Sequence, residues 1–531
     1  MKKSIIRFVV VLALLASARV VAQTKTNKAH VQWGRGLPDK EDGKFDRVIG
    51  DIDNSSYLLI QRKDNWFVQR MDGVKMAWQK PIDTEMDKHD LNVHTLLLMQ
   101  EELLVFTSIY DKKENENRLF VSTYARADLS PRKRFERVAV IPADKSSNIG
   151  QFSISASPDR SKVLVQVFPP RQKDGDEKSH ISIFDAGMGQ PLWSKDFSLP
   201  YSDMEFKAES QRVDNDGSVI VLGVKYAAKQ EKRDLKRANK STYEYHLLVY
   251  TGDSPAPQDN PITVSDKFLQ DMTLSMGKDG DIICAGLYGN KNSFNVGGAF
   301  FLRLDRASKQ VTHSSFKDFS DDFVTMYMSE KQAEKVKKKA DKKGEELEMP
   351  EYTLHDIIRR EDGGAVLLAE QYYMRITTYT YSTGNGGTTT QTLYLYYYND
   401  VLVINIDPQG NIEWATKVPK YQATSNDGGM YSSFAVDVKG SNIYLVFNDT
   451  GENLFLKPGD KVKPLSLKGK DALVVLATID KDGNTSREAL FSPERRDVIL
   501  RPKDCVELKD DNMFIYASRK KDYRYGLIMF K

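Results

Sequence analysis

The sequence predicts an all-β fold: an eight-bladed β-propeller, with seven blades as the alternative count, carrying helical and hairpin insertions on one face. Three observations predict it. Apolar runs separated by tight turns recur as pairs of hairpins. The pairs begin at blade-sized intervals, and the last pair lacks a strand that the N-terminal segment can supply. Composition agrees, since 40% of the 531 residues are hydrophobic and 10% aromatic, enough for a packed core and too much for a disordered chain. With 77 basic against 74 acidic side chains the net charge is +3, and nothing global suggests a nucleic-acid partner.

In chain order, the first element is a secretory signal peptide. Lys2, Lys3 and Arg7 precede an apolar run from Phe8 to Leu15, and the small residues Val20 and Ala22 end the segment before Gln23. Removing residues 1–22 would take the net charge from +3 to −1 and leave a single propeller domain over residues 23–531. No cysteine follows the run to carry a lipid. Later apolar runs such as 401–406 fall far short of the ~18–20 residues of a spanning helix. The expectation is an exported protein, periplasmic or extracellular, with no transmembrane segment after the signal peptide.

The repeats come next. One hairpin type joins two strands through a turn carrying Asp and Gly and often ends in Trp: WFVQRMDGVKMAW (66–78), HISIFDAGMGQPLW (180–193) and VLVINIDPQGNIEW (401–414). Glycine in such turns permits positive φ. A second type precedes it, as in ISASPDRSKVLVQVF (154–168), VDNDGSVIVLGV (213–224), MGKDGDIICAGL (276–287) and REDGGAVLLAEQ (360–371). The first hairpins begin near 47, 95, 152, 211, 272, 354, 432 and 504. The eighth unit has only three strands, and the segment His30-Val31-Gln32-Trp33 belongs to no other unit. Pairing 29–34 beside 524–531 would complete the eighth blade and remove two exposed sheet edges.

The Asp185, Gly189, Trp193 spacing and the shorter Asp407, Gly410, Trp414 version resemble the tryptophan-docking turn of quinoprotein-like propellers, in which the Trp packs between neighbouring blades. Met188 stands where that motif has Thr, and four of the eight units lack the Trp. The tract 362–420 also resembles that of secreted bacterial propeller proteins of uncharacterised function. The resemblance implies a fold and carries no quinone; no cofactor is expected.

Motifs for chemistry are sparse. The seven His residues are scattered, and His89 and His94 are the only close pair, too few for a zinc site. G-x-S-x-G and the phosphate-cradling G-x-x-x-x-G-K-[ST] are absent. The D-x-D-G stretches at 214–217 and 480–483 fail as calcium loops because their twelfth positions are Lys225 and Phe491, and they read as β-turns. No catalytic or metal residue is therefore assigned. Cys284 and Cys505 fall in blades that are not neighbours, so both are expected as free thiols.

Long insertions fall on one side. With the strands of a blade named A to D from the channel outward, A–B and C–D turns are short, while B–C loops and D–A crossovers hold nearly every long segment, including 227–241, 329–350 and 375–395. Loops on a rigid scaffold commonly carry binding residues. The first two insertions are lysine-rich and read as helices, a possible patch for anionic glycans or an acidic partner. The third lies within 372–398, which holds eight of the chain's 25 tyrosines. Tyr379 and Tyr381 alternate before a Gly384–Gly387 turn, and Tyr394, Tyr396 and Tyr398 after it, describing a long hairpin with one Tyr-covered face. These five tyrosines are the candidate binding residues, an aromatic platform for sugar rings or a protein anchor. The favoured function is a non-catalytic exported propeller that binds a protein partner or glycan of the cell envelope through this face. The alternative is a propeller enzyme acting on glycans at the channel mouth.

Overall fold

The computed structural model describes residues 23–531 except 39–41, 171–175, 203–204, 239, 263–266, 277–280, 290–294, 306, 345, 356, 384–386, 468, 494–497 and 509–511. The leader segment expected at residues 1–22 lies outside the described residues. Among those described, the chain builds eight antiparallel sheets of four or more strands and a small two-stranded hairpin.

In chain order, sheet 1 runs from Lys44–Ile52 to Lys75–Pro81, and sheet 2 from Asn92–Leu98 to Pro131–Pro142. Sheet 3 runs from Gln151–Ala156 to Trp193–Ser202, sheet 4 from Phe206–Val213 to Gln258–Ile262, and sheet 5 from Phe268–Met276 to Val311–Asp318. Sheet 6 is built on the long strands Ala365–Thr383 and Gly387–Ile406, and sheet 7 runs from Ala435–Lys439 to Thr485–Phe491. Sheet 8 combines Asn512–Arg519 and Asp522–Phe530 with the N-terminal strand Ala29–Pro38, paired Ala29 to Phe530 and Val31 to Ile528. A further short strand, Gln23–Lys25, pairs outside Ala29–Pro38.

The second strand of each sheet is a nearly continuous apolar run because both of its faces are covered. In Ile282–Gly289, Ile282 and Cys284 pack toward sheet 4, whereas Ile283, Ala285 and Leu287 pack toward sheet 6. That two-sided burial repeats throughout. The buried apolar residues fall into eight clusters, each shared by two sheets consecutive in the chain, and one of them is shared by sheet 8 and sheet 1.

Two tryptophans hydrogen-bond across neighbouring sheets. Trp193 of sheet 3 donates its indole N–H to the Gly217 carbonyl of sheet 4 at 3.1 Å. Its ring lies so close to Gly252 that a Cβ there would come within 3.0 Å. Trp414 of sheet 6 donates to the Lys481 carbonyl of sheet 7 at 2.8 Å. The D-x-D-G segments are turns: Gly217 has φ +85° and Gly483 φ +83°, and Asp480 Oδ1 accepts from the Asn484 amide at 2.9 Å. Cys284 and Cys505 are free, and burial pushes both thiols up to about 12.

The helices are α1 (Lys229–Arg237), α2 (Asp321–Thr325) and α3 (Glu330–Lys343). Within the meander of each sheet, α1 lies in the link between second and third strands, while α2 and α3 lie in the link from sheet 5 to sheet 6. These links leave the sheets on the same side as the sheet 6 hairpin, so the lysine-rich segments and the tyrosines share one side of the molecule. Ser329 and Gln332 start α3 with a capping box, and Gly344 ends it in the left-handed region at φ +61°.

Candidate functional site

The sheet 6 hairpin begins as ordinary core. Val366 and Leu368 pack toward sheet 7, and Ala365, Leu367 and Ala369 toward sheet 5. A bulge between Glu370 and Tyr372 ends that regime, and the two strands then continue as a paired ribbon to Thr383 and Gly387. Gln422–Ser425 pairs along the base of the ribbon, setting Tyr398 opposite Gln422 and Leu395 opposite Ser425.

Charge is buried where the ribbon leaves the sheet. Glu370 Oε1 accepts from Lys420 Nζ at 2.5 Å and Glu370 Oε2 from Ser433 Oγ at 2.7 Å, with all three residues buried. Burial by itself would raise the Glu370 carboxyl; Lys420, with hydrogen bonds from His355 and Ser433, outweighs it and holds the group below its ordinary value. Gln422 accepts from both Lys420 Nζ and the Ser433 amide, so every strong group here has a partner. Beside this pair, the buried Arg487 reaches Asp449 Oδ2 at 3.3 Å. Lys417 donates to the Val324 carbonyl at 2.9 Å, holding the start of the α2–α3 excursion against the ribbon base. Lys503 donates to the Tyr398 hydroxyl at 2.6 Å, tying the ribbon to sheet 8.

Register decides where the tyrosines point. Tyr398 pairs with Tyr372, Tyr396 with Met374 and Tyr394 with Ile376, so these six side chains share one face. Tyr379 pairs with Gln391, on the opposite face together with Tyr373 and Tyr397, and the Tyr381 backbone pairs with that of Thr389. The expected single Tyr face is therefore corrected to two. Its physical reason is loop length: Thr383 pairs with Gly387, leaving three residues between them, whereas a four-residue Gly384–Gly387 turn would have put all five on one side. Tyr379 (53% exposed) and Tyr394 (41%) are open, Tyr396 is half-buried, and Tyr398 is buried at the base. The Tyr381 side chain lies outside the described residues. Tyr373 and Tyr397 stack at 4.5 Å.

The sequence reading missed the aliphatic part of this surface. Met374 and Ile376, the latter 55% exposed, stand on the same face as Tyr394. Among the described residues ten large apolar side chains are exposed. Five are on this ribbon, and two more, Met430 and Phe455 (84%), lie on adjoining loops. The Met430 loop bonds the ribbon through Asn426, whose Oδ1 accepts from the Tyr394 amide at 3.0 Å. The Phe455 loop bonds its base through the Leu465 amide and the Tyr421 carbonyl at 2.8 Å. The period-two alternation Tyr372, Met374, Ile376 was the signal available.

The two close histidines do not form a site. His89 is exposed in the small hairpin, whereas His94 bonds Ser108 Oγ at 2.8 Å, and burial lowers its pKa. Among the described residues no group of three metal-ligating side chains converges. No described helix is long and apolar enough to cross a membrane.

No protein-family model and no curated protein sequence matches the chain. Several solved structures are similar in shape. The WD40 domain of SCAP from fission yeast is 8% identical, covering 93% of this chain and 94% of that one at a TM-score of 0.39. The β-propeller domain of the Trilobed protease from Pyrococcus furiosus is 10% identical, with coverage of 85% and 97% and a TM-score of 0.35. The polysaccharide lyase Uly1 is 8% identical, with coverage of 92% and 99% and a TM-score of 0.33. At scores this low, these likenesses carry no argument about function.

Proposed function

We propose that the chain is an exported eight-bladed β-propeller, closed by its N-terminal strand, that binds a protein partner or glycan of the cell envelope through its insertion-bearing face, without chemistry at that face. The eight inter-sheet clusters and the pairing of Ala29–Pro38 with Asp522–Phe530 support the closed ring. The observation that carries the binding role is the concentration of exposed apolar side chains on the sheet 6 ribbon and its adjoining loops, half of those on the described surface being on the ribbon itself. Tyr and Ile on a paired ribbon are anchor residues that lose little side-chain freedom on docking, and Met adapts its shape to the occupant. The lysines of α1 and α3 surround this side with positive charge, which favours an acidic occupant. Pull-down from an envelope fraction with the intact chain and with one lacking residues 375–395 tests the role. A partner or glycan retained by the first alone supports it; equal retention by both overturns it.

One observation favours the second reading, an enzyme acting on glycans at the channel mouth. Asp271, on the first strand of sheet 5, accepts from the Met272 amide at 2.9 Å and the Leu354 amide at 3.3 Å, yet burial outweighs these bonds and raises its carboxyl, with Glu209 and Glu351 adding to the rise, the direction a general acid needs. Cleavage of an envelope polysaccharide that is lost on Asp271→Asn would select that reading.

A further inference from the structure

A cleft of about 1340 Å³ lies between sheets 2 and 3. Its floor is apolar, formed by Val121, Phe184 and Met188, and its wall on sheet 3 is polar. On that wall the register sets His180 opposite Asp196 and Ser182 opposite Ser194 in strands Asp176–Asp185 and Trp193–Ser202. All four side chains share one face, since Ile181 and Ile183 point the other way into the sheet 3–sheet 4 cluster. Asp196 Oδ1 lies 2.7 Å from His180 Nδ1, and His180 Nε2 lies 2.8 Å from Ser194 Oγ. Ser182 Oγ lies 2.8 Å from Ser194 Oγ.

With the imidazole neutral, the donors in this hydrogen-bonded series follow in order. The Asp196 carboxylate can only accept, so His180 carries a proton on Nδ1, and in the neutral imidazole this leaves Nε2 to accept. Ser194 must then donate to Nε2, and its oxygen accepts the Ser182 hydroxyl. An exposed serine whose proton is held by a neutral imidazole, itself oriented by a carboxylate, is the arrangement that generates a serine nucleophile.

We infer that Ser194 and His180 form an acyl-transfer site for a carboxylic ester whose acyl chain lies on Val121, Phe184 and Met188, an activity separate from binding at the ribbon face. Ser194 Oγ bonds to the carbonyl carbon as its proton passes to His180 Nε2. The ester C–O bond breaks, and the leaving alkoxide takes that proton. Water then attacks the acyl-serine, gives its proton to Nε2, and the acid leaves as Ser194 recovers its hydroxyl proton. Asp196 is a positioning residue: Asn in its place donates to Nδ1, moves the imidazole proton to Nε2 and blocks the base.

The test uses the full chain with a fluorophosphonate probe and with p-nitrophenyl butyrate. Labelling should map to Ser194, disappear in Ser194→Ala, and slow on the order of 10²-fold in His180→Gln. The Asp196 side chain is 91% exposed, so Asp196→Asn leaves packing alone; it should slow labelling and hydrolysis by at least about tenfold at an unchanged melting temperature. Absence of labelling, labelling at another residue, or an Asp196→Asn rate equal to wild type would overturn the inference, whether or not His180→Gln folds.

Discussion

At the residue scale, the buried charges at the ribbon base decide what can be changed. Glu370 and Lys420 are held together out of water, so removing one partner strands the other. Lys420→Ala should cost about 3–5 kcal/mol in chemical denaturation, and Glu370→Leu combined with Lys420→Met much less. Lys417 behaves differently, because burial pushes its ammonium down to about 8 and only Asp400 opposes this. Its folded value lies below its ordinary value of 10.5, so the unfolded chain binds the proton more tightly between these limits. Stability should therefore rise as pH increases from 8 to 10.5, by on the order of 3 kcal/mol at most. Denaturant melts of wild type and Lys417→Met across that window should differ in slope, with the variant flatter.

At the element scale, the ribbon divides into a base and a tip. The base is fastened by Lys503 on Tyr398 and by Gln422 beside it, and Asn426 holds Tyr394 where the tip begins, whereas the segment 375–395 contributes nothing to the inter-sheet clusters. Deleting residues 375–395 with a Gly/Ser bridge should lower the unfolding free energy by less than about 1 kcal/mol while abolishing partner or glycan binding. The two faces can be separated, since Ile376→Ser with Tyr394→Ser alters one and Tyr373→Ser with Tyr379→Ser the other. Binding measured for the two double variants identifies the docking face; the aliphatic face carrying Ile376 and Met374 is expected to give the larger loss, and equal binding by both variants and wild type rules out the anchor role.

At the scale of the whole molecule, the N-terminal strand joins the chain's two ends. Ala29, Val31 and Trp33 are buried in the cluster between sheets 7 and 8, with Trp33 edge-on to Phe491 at 5.0 Å. Trp33→Ala should cost about 3–5 kcal/mol, and removal of residues 23–36 should lower the melting temperature far more than deletion of the ribbon tip does. A truncated chain that melts like the full one would show that the pairing with Asp522–Phe530 does not close the proposed ring.

By itself the sequence determined the units, because a strand covered on both faces reads as a nearly continuous apolar run and the tight turns before it carry Asp-Gly or Ser-Pro-Asp: 154–168, 213–224, 276–287 and 360–371 were legible for those local reasons. The side bearing the insertions followed from strand alternation, and the pairing of 29–34 beside 524–531 followed from the missing strand of the eighth unit; the structure extends that strand to Pro38. The tertiary structure alone decided which faces of the ribbon the tyrosines occupy, since a one-residue difference in a glycine turn reverses the pairing parity and glycine spacing does not specify loop length. It alone joined Glu370, Lys420 and Ser433, and likewise His180, Ser194 and Asp196. Their partners are set by cross-strand register and by packing between sheets, which are long-range contacts that no local pattern of charge or hydropathy records.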